Sequence, residues 1–263
     1  MRAPNPSLLT LDGTNTYVAG GWVVDPGPAI AEHLDTVLAA AGGRIDGIVL
    51  THSHADHAEG AQPLSERAGE VPVVLPGEGE EVGPFTAVAT PGHAPDHVCL
   101  LLGGICFTGD TVLGEGSVFI APGDGSLSAY LDSLRRLTEL DLEVLCPGHG
   151  PYVWDPASKL EEYLSHRSER ERSLVAALEA GARTESQLLD AAWADVPTDL
   201  RPAATLTLRA HLEKLAEEGC LPSDLEAEID RRIVGGYRRR PQGTEEEAWA
   251  RQAAREAVTD EPW

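Results

Sequence analysis

The sequence predicts an α/β domain followed by a small helical domain, and three observations lead to this expectation. Over residues 1–157, short apolar runs alternate with amphipathic helical segments and are punctuated by Gly and Pro. After Pro156, glycine thins out and helical periodicity takes over. From residue 241 the chain is rich in Glu, Ala and Arg. We therefore predict an α/β domain over 1–157, a winged-helix-like domain over 158–240 and a mixed-charge tail over 241–263.

The individual elements follow from the apolar pattern. Strands are expected at residues 17–19, 22–24, 45–50, 71–75, 85–89, 98–102, 105–108 and 143–146. One helix should begin after Pro28, with Leu34 and Val37 on its apolar face, and an amphipathic helix should cover 127–137. Further helices are expected at 158–180, 185–194 and 201–218.

Bulk composition restricts the class of function. The net charge of −23 repels polyanions and disfavours RNA as a partner, although arginines at 231–232 and 238–240 form a local exception. No apolar run approaches the length of a membrane span, and the first residues lack the apolar core of a secretory signal. The four cysteines show no metal-type spacing, so we expect a cytoplasmic protein without disulfides.

Histidine and aspartate gather in four short segments, each at a point where a predicted strand gives way to a loop. The segments are His52-Ser53-His54-Ala55-Asp56-His57, Pro91-Gly92-His93, Thr108-Gly109-Asp110 and Pro147-Gly148-His149. Neutral imidazole and carboxylate groups are the ligands that zinc-like divalent ions take. These side chains are too many for one tetrahedral ion and suit two. No cysteine joins them, which argues against a purely structural zinc site.

The spacing divides these residues between two metal ions. Residues i and i+2 of an extended chain point the same way, so the first two histidines are expected to hold one ion together. We assign His52, His54 and His93 to one site, and Asp56, His57 and His149 to the other. Asp110 has two carboxylate oxygens and is expected to bridge the two ions.

A pair of divalent ions predicts hydrolysis. Zinc lowers the pKa of bound water to about 7, so a bridging hydroxide would be present to attack a carbonyl carbon or a phosphorus atom. Two Zn²⁺ ions are expected, with Mn²⁺ or Fe²⁺ as alternatives. Asp56 is the predicted catalytic carboxylate, which orients the hydroxide or passes a proton.

Two further residues are candidates for a supporting role. Asp25 ends a predicted strand in Val24-Asp25-Pro26-Gly27 and is expected to accept a hydrogen bond from a ligating imidazole. The alternative is that Asp25 only starts the Pro-Gly turn. His97, four residues after His93, is expected either to contact substrate or to be a buried structural histidine.

The ordered set of His52–His57, Gly92-His93, Gly109-Asp110 and Gly148-His149 resembles the metallo-β-lactamase superfamily. This resemblance implies a four-layer αβ/βα sandwich with the metals at one edge, and the assigned ligand roles agree with the family pattern. The commonest true β-lactamases carry cysteine at the Asp110 motif and lack the Asp–His pair after HxH. Antibiotic hydrolysis is therefore not expected.

Outer segments narrow the resemblance further. Leu9–Tyr17, Asp25-Pro26-Gly27 and Arg209–Gly219 are similar to the β-lactamase-like-protein-2 group, which pairs the metal domain with a C-terminal winged helix. Animal members of that group resemble single-strand-specific endoribonucleases. Some microbial and fungal relatives look like thioesterases that release polyketides from a carrier protein.

Several functions therefore stay open. A hydrolase of a small-molecule or acyl-carrier ester or thioester fits the acidic composition, and a single-strand-specific endoribonuclease fits the winged-helix-like domain and the arginines near 231–240. A mononuclear iron oxygenase is a further alternative, because superfamily relatives with these ligands hold one iron. A non-enzymatic binding module is disfavoured by the complete ligand set. No membrane partner is expected, and the oligomeric state is left open.

Overall fold

The computed structural model describes residues 1–221, and these residues belong to two compact units. The first unit contains residues 1–118 and 129–164, and the described part of the second contains residues 119–128 and 165–221. The predicted domain limit at residue 157 falls near the start of a long helix, Pro156–Glu179, and stays a prediction. The arginines at 231–232 and 238–240 and the predicted tail over 241–263 lie outside the described residues.

The first sheet of the first unit has four strands in the order β1-β2-β3-β4. They are β1 (Tyr17–Ala19), β2 (Trp22–Val24), β3 (Gly47–Val49) and β4 (Val73–Val74). Gly20 and Gly21 both have positive φ, +56° and +83°, which is what a tight turn between antiparallel β1 and β2 requires. Strands β2, β3 and β4 are parallel, so their carboxyl ends lie at one edge.

The second sheet has five strands in sequential order. They are β5 (Glu81–Val82), β6 (Phe85–Ala89), β7 (Val98–Leu102), β8 (Ile105–Gly109) and β9 (Val144–Pro147). Neighbouring strands from β5 to β8 are antiparallel, and β9 is parallel to β8. Strands β6, β8 and β9 therefore run in the same direction and end at the same edge.

The first unit consists of four layers. Val49 of the first sheet and Phe85, Leu100 and Phe107 of the second share one buried core, so the two sheets face each other. Helices α1 (Ala31–Ala40) and α3 (Ala61–Arg67) pack on the outer face of the first sheet, where Ile48 is fully buried.

The outer face of the second sheet is buried as well, at Cys99, Cys106 and Leu145. Helix α4 (Leu127–Thr138) lies on that side, where Tyr130 Oη donates a 2.8 Å hydrogen bond to the carbonyl oxygen of Thr111. The predicted αβ/βα sandwich is confirmed.

The second unit is helical within its described residues. It contains the C-terminal part of α5 (Pro156–Glu179), α6 (Glu185–Ala192), a 3₁₀ turn at Thr198–Leu200 and α7 (Arg201–Glu217). Thr184 and Gln187 form a capping box that fixes the start of α6. Leu174, Leu188, Trp193, Leu208 and Leu212 belong to one core cluster. The three helices predicted from apolar spacing are therefore confirmed within a few residues.

Some elements were not predicted. Helix α2 (Ala55–Ala58) is one turn inside the histidine motif, α3 carries Pro63 within its length, and β5 has two residues, so none of them shows a full apolar period. The strands expected at 45–50 and 71–75 are shorter, at Gly47–Val49 and Val73–Val74. Among residues 1–221, no helix combines the length and apolar character needed to cross a bilayer.

Candidate functional site

The predicted ligands lie beyond the carboxyl ends of strands in both sheets. In the first sheet, β3 leads through Thr51 into His52. In the second sheet, β6 leads to His93, β8 to Asp110 and β9 to His149. Because these strand ends share an edge within each sheet and the sheets are stacked, residues far apart in sequence meet at one edge of the sandwich.

All seven predicted ligands come together there in two groups. The first group is His52, His54 and His93, and the second is Asp56, His57, Asp110 and His149. Within each group, one potential ligand atom per residue lies within 4.8 Å of the others. His52 and His54, which the i, i+2 spacing paired, lie in the same group, and Asp110 lies with the second group.

Asp110 stands between the groups. Its Oδ2 atom is 3.6 Å from Nε2 of His93 in the first group. Its Oδ1 atom is 3.4 Å from Nε2 of both His57 and His149 in the second group. Each carboxylate oxygen therefore faces a different group, which is the geometry that a bridging ligand needs.

Helix α2 turns the histidine motif toward the second group. The His57 amide donates to the carbonyl of His54, which closes the turn, and Asp56 Oδ2 comes within 3.2 Å of His149 Nε2. The Asp56 side chain is 32% exposed and His54 is half-buried, whereas the other five predicted ligands are buried. His54 and Asp56 therefore mark the side of the site that is open to solvent.

Asp25 lies beside His57 and Thr51. Its Oδ2 atom is 2.9 Å from His57 Nδ1, and its two oxygens accept hydrogen bonds from the Thr51 backbone amide (2.8 Å) and hydroxyl (2.7 Å). The carboxylate fixes the proton of His57 on Nδ1 and leaves Nε2 directed at the second group. Asp25 has a φ of +46°, a conformation that L-residues other than Asn and Asp seldom adopt.

His97 is buried behind the ligands. Its Nε2 atom accepts the backbone N–H of Asp110 (3.0 Å), its Nδ1 atom is 3.0 Å from Thr90 Oγ1, and its ring stacks on His52 with centroids 4.8 Å apart. A ring 1% exposed is poorly placed to meet substrate, so the geometry favours a buried structural histidine over substrate contact.

The carboxylates in and around the second group favour positive charge there. Burial lowers the pKa of His149, but Asp110 and Asp56 outweigh it and raise that pKa to about 9. For His57, burial likewise acts downward, and Asp110, Asp56 and Asp25 raise the pKa well above its ordinary value. Burial raises the pKa of Asp110, yet His149 and His57 bring it well below the usual range.

The donor set fits two divalent ions. Within residues 1–221, the buried atom His52 Nε2 has no hydrogen-bond partner, which is costly unless a cation satisfies it. Nitrogens of different imidazoles also face one another, with His93 Nε2 3.0 Å from His54 Nδ1 and His57 Nε2 3.3 Å from His149 Nε2. Such convergence of imidazole nitrogens is typical of metal ligands.

Two supporting residues were missed by sequence reasoning. Thr51 contacts both Asp25 and His52, and its position directly before the HxH motif is the signal that was available. Gly109 has a φ of +45°, and a Cβ there would lie 2.5 Å from Thr51 Oγ1 and 2.7 Å from His97 Nε2. The Gly-Asp pair hinted at a turn, but the close approach depends on contacts across both sheets.

Comparisons with known proteins agree with this architecture. The sequence profile of the metallo-beta-lactamase superfamily matches residues 9–85 and 65–149. The profile of the beta-lactamase associated winged helix domain matches residues 184–221. The crystal structure of a metallo-beta-lactamase family protein from Thermus thermophilus superposes with a TM-score of 0.59 at 24% identity, covering 78% of this chain and 88% of that one.

Named relatives are similar over most of the chain. A beta-lactamase-like protein 2 homolog of Drosophila melanogaster is 32% identical, covering 82% of this chain and 87% of its own length. An atrochrysone carboxyl ACP thioesterase of Aspergillus fumigatus is 32% identical, covering 74% of this chain and 73% of its own. On the matched profiles, the shared sandwich and these identities, the chain belongs to the metallo-beta-lactamase superfamily and carries its associated winged helix domain.

Proposed function

We propose that the chain is a dinuclear-metal hydrolase that cleaves a thioester or ester of a small molecule or of an acyl-carrier substrate. The observation that carries the proposal is the pair of ligand groups joined through the two oxygens of Asp110. Membership of the superfamily and the thioesterase names of relatives indicate a metal-dependent hydrolase. The dinuclear mechanism and the substrate are the proposal.

The residues of the site divide the work. His52, His54 and His93 would hold one ion, and Asp56, His57 and His149 the other, with Asp110 shared. Divalent ions so placed would lower the pKa of water, stabilise a developing oxyanion and fix the carbonyl for attack. Zn²⁺ suits this nitrogen-rich set best, and Mn²⁺ or Fe²⁺ are the alternatives.

Asp56 is proposed as the catalytic carboxylate. Its Oδ2 atom lies 3.2 Å from Nε2 of His149 in the second group, and about a third of its side chain is exposed. It can therefore accept a proton from the attacking water and release that proton to solvent. His57 and His149 are buried and lack this route.

The choice of a thioester or ester over RNA rests on charge and on relatives. A chain with a net charge of −23 repels a polyanion at long range. The Aspergillus fumigatus relative is named a thioesterase that acts on an acyl carrier protein.

A cytoplasmic location is part of the proposal. The free, buried thiols suit a reducing compartment; they are Cys99, Cys106 and Cys146.

A substrate panel tests the proposal. The zinc-loaded protein is given acyl-pantetheine thioesters, an aryl ester, single-stranded RNA and a chromogenic β-lactam, beside two matched variants. Asp110→Ala removes the shared carboxylate. Asp141→Ala removes an exposed carboxylate that precedes β9, at the end of the strand opposite His149.

We expect thiol release that is lost in Asp110→Ala and retained in Asp141→Ala. RNA cleavage that Asp110→Ala abolishes, without thioester turnover, would support the endoribonuclease and overturn the proposal. Elemental analysis that finds one iron per chain and no zinc would support the oxygenase instead.

A further inference from the structure

The Thr51 hydroxyl lies between a carboxylate and a predicted ligand. Thr51 is fully buried, and its Oγ1 atom is 2.7 Å from Asp25 Oδ2 and 3.0 Å from His52 Nδ1. Its backbone amide also donates to Asp25 Oδ1. The residue is therefore held in one place by two hydrogen bonds to the same side chain.

The protons of this chain of contacts have one consistent arrangement. A hydroxyl has a single proton, and an ionised carboxylate can only accept, so the Thr51 hydroxyl donates to Asp25. Thr51 Oγ1 must then accept from His52, which places the imidazole proton on Nδ1. The buried Nε2 of His52, which has no hydrogen-bond partner in the described chain, is left as a lone pair directed at the first group.

The same oxygen of Asp25 also serves the second group. Asp25 Oδ2 is 2.9 Å from His57 Nδ1, so His57 takes its proton on Nδ1 as well. One carboxylate oxygen thus holds the Nδ1 proton of one histidine from each group, directly for His57 and through the Thr51 hydroxyl for His52.

We propose that Thr51 is a positioning residue that extends the control of Asp25 from the second metal site to the first. This inference rests on the proposed dinuclear function. The ring of His52 packs against the rings of His57 and His97, with centroid distances of 4.3 Å and 4.8 Å, so these neighbours fix its plane. Packing alone does not decide which nitrogen is protonated, and the Thr51 hydroxyl supplies that choice.

The space around Thr51 fits this role. A Cβ at Gly109 would lie 2.5 Å from Thr51 Oγ1 and 2.8 Å from its Cβ, so glycine at 109 leaves room for the hydroxyl. Valine has the shape of threonine and lacks the hydroxyl, whereas serine keeps the hydroxyl and lacks the methyl group. Thr51→Val and Thr51→Ser are therefore a matched pair.

Zinc binding can be measured one site at a time. His149→Ala disables the second site and His93→Ala the first, and the remaining zinc affinity is titrated against a competing chelator in each background. In the His149→Ala background, Thr51→Val should weaken zinc binding about ten- to a hundredfold, the range for loss of a ligand's hydrogen-bond partner.

In the His93→Ala background, Thr51→Val should cause a smaller loss of zinc affinity. Asp25 would still bond to His57 and to the backbone amide of residue 51. Thr51→Ser should restore affinity, and Asp25→Asn should weaken zinc in both backgrounds. Equal losses from Thr51→Val in the two backgrounds, or no loss in the His149→Ala background, would overturn the inference.

A second readout separates this inference from the proposed function. Long-range ¹H–¹⁵N spectra of the metal-free protein report which ring nitrogen of His52 is protonated and need neither bound zinc nor a substrate. We expect His52 with its proton on Nδ1 in the wild type and in Thr51→Ser, and loss of that preference in Thr51→Val. A wild-type His52 protonated on Nε2 refutes the role of Thr51, whereas the expected tautomer in a protein without hydrolase activity refutes only the proposed function.

Discussion

Substituting Gly109 by alanine tests whether close packing beneath the ligands determines metal binding. Gly109 has a φ of +45°, which costs a residue with a Cβ about 1–2 kcal/mol. The new methyl group would also lie 2.5 Å from Thr51 Oγ1 and 2.7 Å from His97 Nε2, and such overpacking costs about 1–3 kcal/mol. Together these give a loss of about 2–5 kcal/mol in the free energy of unfolding.

Two further glycines separate the two contributions. Gly42 has a φ of +78°, and a Cβ there would have no neighbour within 4 Å, so Gly42→Ala measures backbone strain alone. Gly148 has no positive φ, but its Cβ would lie 2.5 Å from His57 Cε1 and 2.7 Å from Asp110 Oδ1, so Gly148→Ala measures crowding alone. Each kcal/mol lost from the free energy of unfolding should lower the melting temperature by about 2–4 °C.

The assay is thermal unfolding together with zinc stoichiometry. Gly109→Ala should melt lowest of the three and bind less zinc, because Thr51 and His97 must move and both hold ligands. Gly42→Ala should melt slightly below the wild type and bind zinc normally. If Gly109→Ala loses no more stability than Gly42→Ala and binds a full complement of zinc, the account of packing beneath the ligands is wrong.

Three more outcomes are expected. Stripping the metal with a chelator should lower the melting temperature, and restored zinc at a hundredfold excess over its Kd should return about 2.7 kcal/mol per site, measured by calorimetry. Asp56→Asn should keep zinc in the first site and lower kcat about 10²- to 10⁴-fold, measured by steady-state kinetics; an unchanged kcat would remove Asp56 from catalysis. In the second unit, hydrogen bonding to His211 and Lys214 outweighs burial and lowers the pKa of Glu171 from 4.5 to about 2. The stabilisation of the wild type over Glu171→Gln should therefore be complete above pH 4.5 and shrink as the pH falls toward 2, which melting curves across that range will show; a difference independent of pH contradicts it.

The candidate ligands could be predicted because their signal is local. HxHxDH and the later Gly-His and Gly-Asp pairs each lie at or shortly after the end of a strand, and strands such as β3 and β8 are recognisable from short apolar runs. Strands that run in the same direction end at the same edge of a sheet, so residues that follow such strands lie close together. Alternation along the chain was sufficient to pair His52 with His54, and the structure has both in one group.

The supporting contacts could not be predicted because they are made between distant segments. No local sequence pattern identifies the role of His97. Its ring stacks on His52 and accepts a hydrogen bond from the Asp110 amide, and these two residues follow strands of different sheets. The placement of residues 119–128 with the second unit likewise depends on tertiary contacts, since nothing in their composition distinguishes them from the surrounding loop.

Backbone strain shows which of these contacts is indispensable. Asp25 and Gly109 both adopt a positive φ beside the site, the first directly after β2 and the second at the end of β8. At 109 no side chain is needed, and glycine relieves the strain while admitting Thr51 and His97. At 25 a glycine would relieve the same strain but would remove the carboxylate that contacts Thr51 and His57. A strained residue persists where the surrounding structure needs its side chain, so the retention of aspartate in this conformation points to its carboxylate as the anchor of both groups of ligands.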